Sequence, residues 1–206
     1  MSTTGINITS CPILLTKGSV SMPLPKEQVY AIDDIYNLPD GTRAELIDGQ
    51  MYMMAPPSTM HQKLSGEIFT DIKSYIRSNK GACQVFAAPF AVFINDDDDK
   101  YLEPDISVIC NKDKIDDSGC HGAPDWIVEI VSPSSKRMDY YTKLALYRAA
   151  GVREYWIVDP LRKTILVYDM EHDDGPILYS FTDKIKVNIY EDLYIDFRDI
   201  MQAINS

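Results

Sequence analysis

Hydrophobic and polar positions alternate along this chain in two rhythms, and the change from one to the other marks out its elements. Past Ser58, apolar residues at Leu64, Ile68, Ile72 and Tyr75 or Ile76 recur at three- and four-residue steps until Gly81. That spacing lays a single stripe along a helix, with Ser58 as its cap and Gly81 as its stop. A shorter helical pattern passes through Val29, Ile32, Ile35 and Tyr36 and halts at Pro39. A third joins Leu144, Tyr147 and Arg148 ahead of Gly151, a residue suited to ending a helix.

Between these, the period falls to two. Residues 44–47 and 50–55 flank Asp48-Gly49, the dipeptide of a tight hairpin turn. CQVFAAPFAVFI and EPDISVICN predict an antiparallel pair joined through NDDDDK, whose acids read as a solvated tip. PDWIVEIVSPS is apolar on both alternations, which suits a central strand covered on two faces. VREYWIVDP, KTILVYDM and ILYSF continue the strands, and VNIYEDLYIDFRDIM supplies strand pieces and a short terminal helix. Interleaved strands and helices predict an α/β fold, a mixed β-sheet flanked by helices, in one domain over 26–206. Residues 1–25, broken by four glycines and prolines after position 11, predict an N-terminal arm.

Composition narrows the function. The 206 residues carry 31 acidic against 20 basic side chains, a net charge of -11, which repels nucleic acid on average. Screening over about 8 Å still leaves room for a local basic groove. No apolar run reaches the roughly 20 residues of a membrane helix, and the start lacks a secretory leader. Cysteines at 11, 83, 110 and 120 form no CxxC pair, so four reduced thiols in a cytoplasmic protein are expected; Cys120-His121 is a weaker metal reading.

Glu129 resists a structural explanation. It interrupts WIVEIVS, where an unpaired ionised carboxylate costs several kcal/mol, so it must be neutralised, paired or bound to a cation. Alternation sets Ile127, Glu129 and Val131 on one face and Val128 and Ile130 on the other. Asp105 opens the ISVI strand after a proline, and if the two strands are neighbours it reaches the same cation, with the Ile130 backbone carbonyl as a third oxygen. An all-oxygen set suits Mg2+, or Mn2+ in its place. Glu45 is a candidate third acid or a solvent-facing strand residue. Asp139, Lys143 and Tyr147 fall in one i,i+4 column; Lys143 either aims over the strand end toward a phosphate or makes a surface pair with Asp139.

ELIDG, Pro-Pro-Ser followed by His61, EPDISV, PDWIVEIVSPSS, the Asp139-Lys143-Tyr147 column and GVREYWIVDP, in that order, closely resemble the Uma2 family of endonucleases, also called DUF820, over residues 27–200. The resemblance implies a restriction-endonuclease-like core of the PD-(D/E)XK superfamily and a Mg2+-dependent phosphodiesterase site. Asp105 and Glu129 match its acidic pair and Glu45 its early acid. The usual E-x-K lysine is replaced by Val131, and the matching lysine is Lys143 on the helix. His61 matches a position at the helix start, where it contacts phosphate or a carboxylate, or serves as a plain cap or core residue. Lys136 and Arg137 are candidate phosphate contacts or a solvated helix start. The expected activity is hydrolysis of nucleic-acid phosphodiester bonds, with DNA as partner and a homodimer as the working unit. A catalytically inactive interaction protein on the same fold and a small-nucleotide phosphodiesterase are the competing readings.

Overall fold

The computed structural model describes residues 28–94, 99–172 and 175–206. The arm over 1–25 and most of the acidic tip, 95–98, lie outside the described residues. Four helices, α1 (Ile32–Tyr36), α2 (Thr59–Ser78), α3 (Leu144–Ala150) and α4 (Phe197–Asn205), alternate with strands β1 (Ala44–Ile47), β2 (Gln50–Met53), β3 (Gln84–Ala87), β4 (Val92–Phe93), β5 (Ile106–Ile109), β6 (Cys120–His121), β7 (Trp126–Ile130), β8 (Glu154–Asp159), β9 (Thr164–Asp169), β10 (Pro176–Ser180), β11 (Lys184–Lys186) and β12 (Tyr194–Asp196).

Six strands form the main sheet in the order β10-β9-β8-β7-β5-β3. Only β7 and β8 run parallel; the other neighbours are antiparallel. A parallel pair cannot be joined by a tight turn, and here the crossover is the helical segment ending in α3. The expected mixed α/β sheet flanked by helices is therefore present.

The two faces of β7 divide as its alternation requires. Trp126, Val128 and Ile130 join Leu64, Ile68 and Ile72 of α2 and Phe197, Ile200 and Ile204 of α4 in one core. Ile127 and Val131 join Tyr147, Tyr155 and Ile157 in the other. Each large apolar side chain taken fully out of water contributes about 1.5–3 kcal/mol, so a strand apolar on both alternations is most stable in the middle of the sheet. Trp126 and Trp156 meet edge to face at 5.0 Å.

Local chemistry sets the ends. Ser58 Oγ accepts from the His61 N–H at 3.2 Å and starts α2, while the Gly81 N–H closes the far end on the Ile76 carbonyl. Asp196 caps α4 by accepting from the Arg198 and Asp199 amides. Asp48 and Gly49 both have positive φ in the β1–β2 turn, and a Cβ at Gly49 would fall 2.6 Å from Val29 Cγ1.

Two expectations need correction. The run 83–94 is not one strand: β3 pairs with β5 as expected, but Pro89 lacks the N–H needed to continue the ladder, and β4 pairs in parallel with β6 instead. The thiols are not all free, because Cys83 and Cys110 form a disulfide. They stand one step beyond the Gln84–Ile109 pair, directly across from each other, a relation that single-sequence spacing does not reveal. The disulfide removes the four-thiol argument for a cytoplasmic location. Cys120 is buried and donates its thiol to the Gly122 carbonyl, whereas His121 is exposed and pairs with Asp116, so the two side chains do not serve one ion. No helix among the described residues is long and apolar enough to cross a membrane.

Candidate active site

The site forms where β5 and β7 end together. Ile106 pairs with Val128, and one step further the same antiparallel register sets Asp105 opposite Glu129. The Ile130 N–H, which has no strand partner past Pro104, donates to Asp105 Oδ2 at 2.7 Å. His61, in the first turn of α2, holds the same oxygen through Nε2 at 3.1 Å. Burial alone would lower the His61 pKa, but Asp105 and the Ile130 carbonyl together raise it above the ordinary imidazole value. Its other ring nitrogen, Nδ1, is buried and has no hydrogen-bond partner among the described residues.

Glu129 is almost fully buried, and its Oε1 accepts from Lys143 Nζ and Tyr147 OH, each at 2.9 Å. Lys143 also reaches Glu45 Oε1 at 2.9 Å and Oε2 at 2.8 Å, and stands 3.8 Å from Asp139 Oδ1. Of the three N–H groups of its ammonium, two are hydrogen-bonded, to Glu129 Oε1 and Glu45 Oε1, and the remaining contacts are ion pairs. The surface-pair reading of Asp139 and Lys143 is excluded by their burial. Burial would depress Lys143, yet Glu129, Glu45 and Asp139 hold it well above its usual value, so it stays an ammonium. Burial raises Glu129 well above the usual carboxylate range, against the pull of Lys143, and raises Asp139 to about 6.

The lysine is delivered by an unusual turn. Met138–Lys143 winds as a π-helix before α3 begins, and such wide turns recur at functional sites because the extra residue re-aims a side chain. The column of the sequence survives it, since Lys143 and Tyr147 converge on one oxygen of Glu129. Ser135 donates to Asp139 Oδ2 at 2.6 Å, and Tyr155 OH donates to the Asp139 backbone carbonyl.

Glu103, Ser135 and Tyr155 escaped the sequence reading. The Glu103 N–H donates to Glu45 Oε1 at 3.0 Å, and its carboxylate accepts from Tyr101 OH and pairs with Arg43. A signal existed, for Glu103 is the first residue of the EPD step. Lys136 Nζ lies 3.4 Å from the buried Asp159 with its side chain still 43% exposed, and Arg137 is exposed at the helix start.

The arrangement gathers Glu45, Asp105, Glu129 and Asp139 around the Lys143 ammonium and the His61 imidazole. Glu129 Oε2 and Asp105 Oδ1 take no hydrogen bond among the described residues. Among those residues no three His, Cys, Asp or Glu side chains are gathered as a ready metal cage. Two carboxylates and a backbone carbonyl form a different set, all hard oxygens, and an excess of buried acids is chemically suited to a divalent cation.

The family model Uma2, described as "Putative restriction endonuclease", matches residues 29–193. The uncharacterized protein slr1290 of Synechocystis sp. is 26% identical over 147 residues, which cover 69% of this chain and 75% of that protein. The crystal structure of a "putative nuclease belonging to DUF820" from Anabaena variabilis shares the fold with a TM-score of 0.69 at 20% identity, over 84% of this chain and 98% of the other. With most of its length matched and its sheet architecture shared, the chain belongs to the Uma2 family and has a restriction-endonuclease-like fold.

Proposed function

We propose that this protein is a Mg2+-dependent endonuclease that hydrolyses phosphodiester bonds in DNA, with Mn2+ able to replace Mg2+. The observation that carries the proposal is the meeting of Asp105, Glu129 and the Ile130 backbone at one end of the central strands, beside a buried lysine. Asp105, Glu129 and the Ile130 carbonyl would hold the cation, which supplies charge stabilisation at the phosphate and a nucleophile from water.

The chain's own groups prepare that reaction. The Ile130 N–H and His61 fix Asp105 through Oδ2, leaving Oδ1, which takes no hydrogen bond among the described residues, for the cation. Lys143 and Tyr147 fix Glu129 through Oε1 and leave Oε2 for the same purpose. Lys143 spends two contacts on Glu45, and one of them can be exchanged for the attacking water without unpairing either carboxylate. Glu45, held by the Glu103 amide, then accepts a hydrogen from that water. In-line attack on phosphorus forms one P–O bond and breaks the bond to the leaving oxygen, which takes up a proton from solvent. Asp139 keeps the Lys143 charge in place from its own helix.

The test is cleavage of supercoiled and linear DNA with Mg2+ or Mn2+. Wild type is expected to cut, while Asp105→Asn and Glu129→Gln lose at least ~100-fold in rate. Equal cleavage by these variants, in preparations free of contaminating nuclease, would remove both residues from the mechanism. Light scattering tests the homodimer included in this reading. A second reading has a specific support: a chain of net charge -11 whose Lys136 is engaged by Asp159 suits a small nucleotide better than a long polyanion. Hydrolysis of a dinucleotide with no cleavage of DNA would select it.

A further inference from the structure

The face of the molecule bounded by α2 and β3 has no part in the site above. β3 is the last strand of the sheet on that side. Ala88 donates its N–H to the Asp105 carbonyl, so by alternation Gln84 and Phe86 bond toward β5 while Val85 and Ala87 turn their N–H and C=O groups outward. No charged residue or proline interrupts Gln84–Ala87, the usual protections of an exposed edge. The Cys83–Cys110 disulfide ties this strand to β5 at its start.

Alongside the edge runs a groove of about 650 Å³ between the strand and the helix. Phe69 and Ile76 of α2 and Val85 and Phe86 of β3 give it an apolar lining. Two cations stand on its helical wall. Lys73 lies over the Phe69 ring at 5.0 Å, and among the described residues neither Lys73 nor Arg77 has a carboxylate partner. On a chain of net charge -11, this is a local basic patch beside an unpaired strand edge.

We propose that β3 and this groove form a docking site for an extended acidic peptide of a partner protein, which adds as a strand to β3. Its backbone would pair with the outward groups of Val85 and Ala87, alternate apolar side chains would enter the groove, and an Asp or Glu would meet Lys73 and Arg77. Charge decides between this partner and a second copy of the chain. Two copies joined through β3 would bring two Lys73–Arg77 pairs together, whereas an acidic strand neutralises one pair. The proposal is independent of the nuclease reading, since the side chains that line the groove make no hydrogen bond or ion pair with Glu45, Asp105, Glu129 or Asp139.

The test begins with the full-length protein and an unbiased library of ten-residue peptides. Selected peptides are expected to carry Val, Ile or Phe together with an Asp or Glu at every second position, the set that faces the groove, and the strongest is then labelled for fluorescence anisotropy. Lys73→Glu combined with Arg77→Glu should weaken its binding about tenfold or more, as loss and reversal of charged contacts do. Val85→Pro removes an outward N–H without touching the β3–β5 ladder and should abolish binding with the melting temperature retained. Hydrogen exchange at the Val85 and Ala87 amides should slow when the peptide is bound. The proposal is overturned if no peptide is enriched, if the selected peptide binds the charge-reversed protein equally well, or if protection appears elsewhere. A concentration-dependent doubling of mass abolished by Val85→Pro would also overturn it, assigning the edge to a second copy.

Discussion

Replacing Lys143 with Met removes the one side chain that the cluster cannot lose cheaply. Lys143 is 4% exposed and satisfies Glu129 and both oxygens of Glu45 at 2.8–2.9 Å. Methionine fills a similar volume but carries no charge, so two carboxylates are left buried without a cation. Removing one partner of a buried ion pair typically costs about 3–5 kcal/mol. Protonation caps the loss: neutralising Glu129, whose ordinary pKa is 4.5, costs at most about 5 kcal/mol at pH 8 and about 2 kcal/mol at pH 6, at roughly 1.4 kcal/mol per unit, and the wild type, with Glu129 already raised, bears part of it. The sign follows from linkage. Without Lys143 the folded-state pKa of Glu129 rises further, so its contribution to stability is present below 4.5 and is lost as pH increases toward that raised value. For a chain of this size each kcal/mol shifts the melting temperature by about 2–4 °C. Lys143→Met is therefore expected to melt below wild type by up to about 10–20 °C at pH 8 and by up to about 4–8 °C at pH 6. Adding Glu129→Gln to Lys143→Met should recover part of the difference at pH 8. Differential scanning calorimetry at the two pH values measures this. A loss below about 1 kcal/mol at pH 8, the range of exposed pairs, or one independent of pH, would refute the buried-cation reasoning.

Three further outcomes follow from other parts of the molecule. Glu154 is fully buried and accepts from Trp156 Nε1, both nitrogens of Asn188 and the Ile189 N–H, yet burial raises its pKa to about 7. Its folded pKa exceeds the ordinary 4.5, so stability should decline as pH rises from 5 through about 7, and that slope should flatten in Glu154→Gln, as read by thermal melts across pH. Cys83 and Cys110 should resist alkylation in denaturant until a reductant is added, as mass spectrometry of the digested protein will show; alkylation of both beforehand would contradict the disulfide. Glu103→Gln should leave the backbone N–H to Glu45 in place but remove the charge facing Arg43, lowering stability by about 1–3 kcal/mol with a smaller effect on cleavage than Asp105→Asn.

Much of this architecture was legible because burial leaves a periodic trace. The stripe of α2, the two apolar alternations of β7 and the Asp48-Gly49 turn each express a local rule, and the folded chain obeys them. Glu129 was legible for the opposite reason, as an acid where the period demanded an apolar residue. The convergence of Glu45 with Lys143 was not readable from spacing, since 98 positions separate them and only the sheet brings them together. The π-helical turn left no signal, because a helix with one extra residue per turn has the same composition as any other. The Lys136–Asp159 contact was hidden for a related reason: Asp159 ends β8 and is 23 positions away in sequence. The split at Pro89 could have been anticipated, as a proline inside a supposed ladder argues against its continuity.

Crystals soaked in Mn2+ and measured at its absorption edge test the central claim most directly. The expected result is one anomalous peak bridging the Asp105 and Glu129 carboxylates and the Ile130 carbonyl, absent in Asp105→Asn. An empty cleft at saturating Mn2+, or a peak unaffected by that substitution, would contradict it.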